Sequence, residues 1–505
     1  MLMFTDRHSS KICGTLSCLD RIVITGTIPG ICYADGMSGF LRQHNIRIFD
    51  YTRWAEPLRD EVRANAEKLA QVAGIEIEFV RKSGVRKEDL VQKVLAKRGD
   101  HPGLVHILSV METCPSYKPW YDKKAQKAFL RPDSGKCLHY YFYFILPDFG
   151  LCYLRVPTWA PFRLQFYCNG HSLLASQLRA HGITFQMLDN AFVEIDDWQK
   201  AQALADALRP ERLHKCLDRI AHKYCPVLRH FSSGYHWSLM QVEYATDVVF
   251  RRQSELAPIY EELVRTAIHS VKPENVATFL GRRLTAGYQD EMGNDFHTRI
   301  EGTRIKHEMG KTSIKMYDKH ALVLRIETTV NDVSFFKHHR RVEHRDGTWE
   351  MKVAPLRKTI YSLPDLVEMT AAANRRYLEF ISAIDDPTAS LRDLDKIAKP
   401  ACAAGRTYRG FNLFHGGDLD LFRVISRGEY NISGFQNHDL RARLDGVKST
   451  QISRLLKRLR NHGLIKKIGK TYKYYLTTLG RRTTAIALKL REMFIIPSLR
   501  GTLAT

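Results

Sequence analysis

The chain has 505 residues, which is too long for one hydrophobic core and predicts about three domains of ordinary size. Hydrophobic residues make up 44% of the sequence and aromatic residues 10%, and this content excludes an intrinsically disordered chain. With 77 Lys and Arg against 54 Asp and Glu, the formal net charge is +23, which indicates a polyanionic partner. No apolar run approaches the roughly 20 residues that span a bilayer, so no membrane partner is expected.

Short apolar runs alternate with helical patterns from residue 21 to residue 110. The runs RIVITGT, IRIFDY, IEIEFV and GLVHILSV have the composition of strands, and helices are expected near 36–44, 54–73 and 87–97. Strand and helix in alternation are typical of a mostly parallel sheet with helices packed on it. We therefore expect an N-terminal α/β sheet domain over residues 1–135.

The central region, residues 136–384, is expected to form an α+β domain that combines antiparallel sheet with helices. Aromatic strands joined by short turns fill the interval 137–168. Apolar residues recur three and four positions apart between 235 and 280, which favours helices there. Period-two patterning over 298–330 predicts a basic, three-stranded antiparallel meander, and a long helix is expected over 363–384.

The meander carries the densest set of chemically capable side chains. Lys315, Tyr317 and Lys319 alternate along the strand KMYDK and therefore share one face. A tyrosine flanked by cations suits a nucleophile that attacks phosphodiesters, because positive charge favours the phenolate. If the site is enzymatic, Glu327 could hold a divalent metal such as Mg²⁺ or Mn²⁺. No other cofactor is expected, and no metal site is assigned.

The string IKMYDKHALVLRIETTV resembles the Tyr-(Asp/Asn)-Lys and Arg-(Ile/Val)-Glu strand pair of plasmid and phage rolling-circle replication initiators. The resemblance implies that Tyr317 is the nucleophile of a DNA-nicking and joining endonuclease, with Glu327 as its metal-binding or structural partner. The alternative is a strand pair that grips phosphates without chemistry, with Arg304 and Lys306 among its cations and an internal bridge from Lys or Arg to Glu.

Residues 385–407 contain Pro and Gly and are expected to be a linker, and residues 408–505 follow with a distinct order of elements. Three helical segments (LDLFRVISRG, NHDLRARL and TQISRLLKRLRNHG) precede two strands (LIKKIG and TYKYYLT) and a last helix from Thr478. This order, with the run SRLLKRLRNHGLIKKIGKTYKYYLT, resembles the winged helix-turn-helix of bacterial transcription regulators. The resemblance implies a DNA-binding domain whose third helix enters the major groove.

Eleven Lys or Arg residues and no Asp or Glu lie between Gly446 and Arg482. A merely solvated surface usually mixes both signs, so this excess favours contact with phosphates. The third helix should bury an apolar stripe and turn its cations outward. The cations expected to bind nucleic acid are Lys448, Arg454, Lys457, Arg458, Arg460, Lys466, Lys467, Lys470 and Lys473. A winged helix that contacts another protein is the alternative.

Three functional hypotheses follow from these features. The first is a regulatory or mobile-element protein that binds double-stranded DNA, as a monomer or a homodimer. The second is a metal-dependent nicking enzyme of the initiator or transposase kind. The third is an RNA-binding protein whose aromatic residues 140–144 stack on unpaired bases. The whole chain also resembles an uncharacterised bacterial protein family, which implies a bacterial origin, and its scattered cysteines suit a reducing cytoplasm.

Overall fold

The computed structural model describes residues 2–81, 84–282, 284, 292–299, 302–344, 346–382, 387–403, 405–412, 414–427, 430, 434–469 and 471–491. The chain divides into two compact units, neither of which is one continuous segment. The first unit contains residues 1–15, 246–328 and 369–505, and the second contains residues 16–245 and 329–368. Among the described residues, no helix is both long and apolar enough to cross a membrane.

Strands and helices are mixed throughout the chain. As far as residue 250 the elements are α1 (Leu2–Arg7), β1 (Ile12–Thr27), α2 (Ala34–Gln43), α3 (Tyr51–Ala73), β2 (Ile77–Phe79), α4 (Lys87–Arg98), β3 (Gly103–Asp122), β4 (Lys127–Leu146), β5 (Gly150–Pro157), β6 (Leu164–Asn169), α5 (Gly170–Ala180), β7 (Phe185–Leu188), β8 (Ala191–Ile195), α6 (Trp198–Ala205), α7 (Pro210–Tyr224) and β9 (His236–Phe250). After it come α8 (Gln253–Ser270), α9 (Pro273–Phe279), β10 (Met292–Arg299), β11 (Gly302–Met309), β12 (Thr312–Lys319), β13 (Val323–Val330), β14 (Lys337–Glu343), β15 (Trp349–Pro355), α10 (Leu363–Ile381), α11 (Pro387–Ala398), β16 (Ala401–Ala403), β17 (Arg406–Tyr408), α12 (Gly416–Ile425), α13 (Asn437–Arg441), α14 (Ser449–Asn461), β18 (Ile465–Lys467), β19 (Tyr474–Leu476) and α15 (Thr478–Lys489).

The sheet of the second unit is mixed. Its strands follow the order β9-β1-β6-β5-β4-β3-β2. Strand β6 pairs antiparallel with β1 and β5, β4 pairs antiparallel with β5 and β3, and β2 pairs parallel with β3. The expectation of a mostly parallel N-terminal sheet is therefore wrong. One reason is that the run IRIFDY forms no strand, because Ile48–Asp50 is a 3₁₀ turn that leads directly into α3.

Strand β9 occupies the region where the sequence favours a helix. From Val242 to Phe250 every residue of β9 is buried, so both faces of the strand carry apolar side chains. A strand buried on both faces loses the period-two alternation that identifies a strand, and its apolar residues then fall by chance at helical spacing. The helical interpretation is wrong for 236–250, whereas α8 and α9 follow at 253–279 as expected.

The aromatic residues 140–144 on β4 belong to the core of the second unit. Each of these five side chains is between 0% and 6% exposed. Tyr141 and Tyr143 pack with Val91 of α4 and Val105 of β3. They are therefore not available to stack on unpaired RNA bases, which requires exposed rings.

The first unit contains the meander. Its strands follow the order β10-β11-β12-β13-β9, and β11 pairs antiparallel with both β10 and β12. Strands β11 to β13 occupy the span over which period-two patterning predicted three strands, and β10 adds a fourth at the edge. Ile314 and Met316 of β12 are fully buried, which leaves Lys315 and Tyr317 on the opposite face of that strand.

The C-terminal part of the first unit has its own core. Residues of α11, α12, α14 and α15 contribute to it, together with β18 and β19. The segment 385–407, expected to be a linker, contains α11 and the paired strands β16 and β17. Leu394 and Ile397 of α11 are buried in the same core as Phe422 and Leu459, so the described residues of this segment are structured.

Candidate nucleic-acid interface and tyrosine site

Helix α14 separates apolar and basic side chains onto different faces. Ile452, Leu456 and Leu459 are at most 4% exposed and lie in the core. Between them, at positions that a helix of 3.6 residues per turn directs outward, lie three exposed cations: Arg454, Lys457 and Arg460. The helix thus presents a basic face that is fixed in place by its buried stripe.

Arg458 does not belong to this basic face, and its expected contact with nucleic acid is wrong. Its side chain is 7% exposed, and its guanidinium donates to both carboxylate oxygens of Asp418 at 2.6 and 2.9 Å. It also donates to the carbonyl oxygen of Arg409 at 3.0 Å and lies 3.8 Å from the ring centroid of Phe411. Arg458 lies beside the buried stripe of α14, where the carboxylate of Asp418 on α12 pairs with its guanidinium.

Asp418 remains an anion inside this core. Desolvation by burial acts to raise the pKa of its carboxyl group, but the hydrogen bond from Arg458 and the backbone amide of Asn412 act in the opposite direction and hold the pKa below its ordinary value. The two charges are costly to separate, because Arg458 alone would be buried without a carboxylate and Asp418 would keep only the longer contact to Arg409 at 3.6 Å.

Strands β18 and β19 form a hairpin after α14, with Lys466 opposite Tyr475 and Lys467 opposite Tyr474. A further antiparallel bridge joins Phe435, which precedes α13, to Tyr474. Lys466 and Lys467 are exposed, and the ammonium of Lys467 lies 5.2 Å from the ring centroid of the exposed Tyr472. The hairpin therefore extends the basic surface that begins on α14.

The remaining cations that were expected to bind nucleic acid differ in exposure. Lys448, at the start of α14, is exposed, Lys473 is half-buried, and Lys470 lies outside the described residues. In the portion of the chain that the structure describes, none of the exposed cations on α14 and β18 forms an ion pair with a carboxylate. Their charge is available to a polyanion.

Three of the four candidate catalytic residues of the meander, Lys315, Tyr317 and Glu327, meet at the Glu327 carboxylate. The Tyr317 hydroxyl donates to Glu327 Oε2 at 2.7 Å, and Lys315 Nζ lies 2.7 Å from Glu327 Oε1. Glu327 is 3% exposed, whereas Tyr317 and Lys315 are half-buried. Lys319 is half-buried at the end of β12, where its carbonyl oxygen accepts from the amide of Leu322. The carboxylate is thus placed to accept the phenolic proton of Tyr317.

Other charged residues of the meander are paired within the protein. Arg304 Nη2 lies 3.4 Å from Asp295 Oδ2, and Lys306 forms an ion pair with Glu308. Arg325, which is fully buried, donates from Nε and Nη2 to the two oxygens of Asp247 at 2.6 Å each. These pairs lower the positive charge that the meander presents to a phosphate.

His307 lies at the centre of a buried polar contact in the meander. Its Nδ1 is 2.6 Å from Asn294 Oδ1, and its Nε2 is 3.1 Å from the Tyr377 hydroxyl. Desolvation by burial lowers the pKa of His307 to about 4. A neutral ring satisfies both contacts, since Nδ1 can donate to the amide oxygen while Nε2 accepts from the phenol.

The second unit contains two buried carboxylates that sequence reasoning did not single out. Asp20 and Glu243 can each present one oxygen within 4.8 Å of the other. Asp20 is 2.8 Å from His171 Nδ1 and accepts from Asn190 at 3.2 Å, and Arg21 Nε lies 3.5 Å from Glu243. These neighbours offset the repulsion between the carboxylates. Only the fold brings them together, so no local motif could have revealed them.

No family model, curated protein or solved structure matches the chain.

Proposed function

We propose that the C-terminal segment from β17 onward is a winged helix-turn-helix that binds duplex DNA. The observation that carries the proposal is the exposed basic face of α14, with Arg454, Lys457 and Arg460 opposite a buried apolar stripe. The element order supports it, because α12, α13 and α14 precede a hairpin whose second strand bridges to Phe435. In a domain of this kind α14 enters the major groove and the hairpin follows the phosphate backbone.

The charge distribution favours DNA over a protein partner. Between Gly446 and Arg482 the sequence has eleven cations and no acidic residue. A surface that binds protein is usually depleted in Lys, whereas phosphate contacts are made mainly by Lys and Arg. On this proposal the protein selects DNA sites in a regulatory or mobile-element setting, and a homodimer would bind two half-sites.

The test is the affinity of the full-length protein for a labelled duplex, measured by fluorescence anisotropy. The double variant Arg454→Ala/Lys457→Ala is expected to weaken duplex binding by roughly tenfold or more, because each lost contact to a base or phosphate is worth about 1–3 kcal/mol at best. The matched control is Arg423→Ala on α12, whose side chain is exposed and paired with Asp420. Equal effects of the double variant and the control would contradict the proposal.

A second candidate function is DNA nicking by Tyr317. The observation that favours it is the hydrogen bond from the Tyr317 hydroxyl to Glu327, which provides a base for the phenolic proton. Attack by the phenolic oxygen would join the tyrosine to phosphorus and break the bond to a sugar oxygen. Lys315, held against the same carboxylate, would place positive charge beside the phosphate. A divalent ion, when bound, supplies further neutralisation of the phosphate.

This candidate predicts a covalent protein–DNA adduct. Full-length protein is incubated with labelled single-stranded or supercoiled DNA and Mg²⁺ or Mn²⁺, and adducts are resolved under denaturing conditions. Tyr317→Phe should abolish the adduct, whereas Tyr33→Phe, at an exposed tyrosine of the second unit, should not change it. If wild-type protein forms no adduct with either metal while it binds duplex DNA, Tyr317 is not a nucleophile.

A further inference from the structure

The end of the β3–β4 hairpin, residues 115–136, exposes aromatic rings beside cations. Trp120 is 42% exposed and Phe129 is half-buried, although large aromatic side chains are usually buried. Arg131 lies 4.1 Å from the ring centroid of Trp120 and 5.5 Å from that of Phe129. A guanidinium stacked on an indole in this way limits the motion of both side chains.

The two faces of the hairpin end differ. One face is anchored, because Leu130 is 1% exposed and the hydroxyl of the buried Tyr117 donates to the carbonyl of Ile31 at 2.7 Å. The register places Trp120 opposite Phe129, with flanking cross-strand pairs on the same, open face. These pairs are Lys118 with Arg131 and Asp122 with Lys127.

The charge of the hairpin end is positive. Its cations are Lys118, Lys123, Lys124, Lys127, Arg131 and Lys136. None of them forms an ion pair in this fully described stretch of the chain. Its two carboxylates accept backbone amides instead: Asp122 accepts from Lys124 at 2.9 Å, and Asp133 accepts from Ser134 at 2.9 Å. A polyanion would thus meet cations that form no ion pair with any carboxylate among the described residues.

We propose that the open face of the hairpin end binds single-stranded DNA. Bases would stack on Trp120 and Phe129, and phosphates would contact Lys118, Lys127 and Arg131. Flat rings flanked by cations are the combination that binds single strands without sequence preference. A duplex offers its phosphates but not its base faces, so the aromatic rings favour a single strand. The choice of DNA over RNA rests on the proposed function of the C-terminal segment.

A second exposed tryptophan provides a matched control. Trp349 on β15 is 55% exposed, and Arg341 lies 4.5 Å from its ring centroid, so residue type, exposure and stacking resemble those of Trp120. Its surroundings differ, because Arg341 lies 3.6 Å from Glu343, and Lys352 also pairs with a carboxylate. Trp349→Ala should therefore leave binding to single-stranded DNA unchanged.

The experiment measures the affinity of the full-length protein for labelled oligo-dT, oligo-rU and a duplex of equal length. Trp120→Ala should weaken oligo-dT binding by roughly 5- to 100-fold, the loss expected for one stacked base, and should not change duplex binding. Lys118→Gln/Lys127→Gln is a second variant that spares the ring, and it should weaken oligo-dT binding and reduce its salt dependence.

The Arg454→Ala/Lys457→Ala variant separates this inference from the proposed function, since it should lose duplex affinity and keep oligo-dT affinity. The inference is overturned if Trp349→Ala weakens oligo-dT binding as much as Trp120→Ala does. Tighter binding of oligo-rU than of oligo-dT would overturn the assignment to DNA. Loss of binding to anionic phosphatidylserine vesicles in Trp120→Ala, with oligo-dT affinity intact, would replace the proposed partner with a membrane surface.

Discussion

Arg458 owes its role to the groups that surround its guanidinium. Its guanidinium is enclosed by Asp418, the carbonyl of Arg409 and the ring of Phe411, and its side chain is 7% exposed. A cation in this setting organises the core and does not reach a ligand. The same helix carries Arg460 two positions later, and that side chain is exposed. Arg458 is buried and Arg460 is exposed because they lie at different positions relative to the buried stripe of the helix.

Arg458→Ala should therefore destabilise the protein. Removal of one member of a buried ion pair leaves Asp418 desolvated, with only the longer contact to Arg409 at 3.6 Å, and breaking a buried pair typically costs about 3–5 kcal/mol. Urea unfolding of the variant should show this loss, while Arg460→Ala should change the unfolding free energy by less than about 0.5 kcal/mol. A loss of duplex affinity in Arg458→Ala without any loss of stability would contradict this assignment.

His307 makes the stability of the first unit depend on pH. Burial lowers the pKa of the folded histidine to about 4, whereas an exposed histidine titrates near 6.5. Between these values the unfolded chain binds a proton that the folded chain does not bind. The contribution of the neutral ring is therefore fully present above pH 6.5 and is lost as the pH falls towards 4.

We expect the unfolding free energy to decrease as the pH is lowered from 6.5 towards 4. His307 should contribute at most about 1.4 kcal/mol per pH unit to this decrease. His307→Gln should reduce that slope in urea unfolding measured from pH 7 to pH 4. The control Ile468→Gln, at a side chain that is 45% exposed and does not titrate, should leave it unchanged. Parallel stability curves for wild type and His307→Gln would refute the assignment.

At the scale of elements, one buried face makes a strand easy to predict, although β13 was also predicted and is buried along its whole length. From Ile314 to Tyr317 of β12, buried and half-buried residues alternate, and period two reveals the strand. Strand β9 is buried on both faces from Val242 onward, so its pattern imitates a helix. The Tyr317–Glu327 pair was accessible to sequence reasoning because the two strands are neighbours in the chain. Asp418 and Arg458 are 40 positions apart, and only the fold reveals that pair.

Helix α11 was missed because its segment begins at a proline and contains polar residues, which are also typical of linkers. Its buried face, however, belongs to the C-terminal core, and Arg482 of α15 pairs with Asp393. A fragment of residues 408–505 lacks this helix. It should be less stable than a fragment of residues 387–505 by roughly 3–5 kcal/mol, the value of burying one leucine and one isoleucine. Equal midpoints in urea unfolding would show that α11 is dispensable.

At the scale of the whole molecule, the net charge of +23 is not spread evenly. The cations of the meander pair largely with neighbouring carboxylates, whereas the exposed cations of α14, β18 and the end of the β3–β4 hairpin do not pair in the described parts of the chain. The sequence identified the C-terminal excess because it is contiguous. The sequence did not identify the end of the β3–β4 hairpin, because its aromatic residues cannot be told from the buried aromatic residues 140–144 by residue type. Only the structure shows which face of the hairpin is open.

The salt dependence of duplex binding tests the central claim most directly. Full-length protein is titrated with a labelled duplex over a series of salt concentrations, and the logarithm of the association constant is plotted against the logarithm of the salt concentration. Each phosphate contact contributes about −0.9 to the slope, so the wild type should give a steep negative slope, and Lys466→Ala/Lys467→Ala should make it shallower by about 2. A wild-type slope near zero, or a slope that the double variant leaves unchanged, would contradict duplex DNA binding by the C-terminal segment.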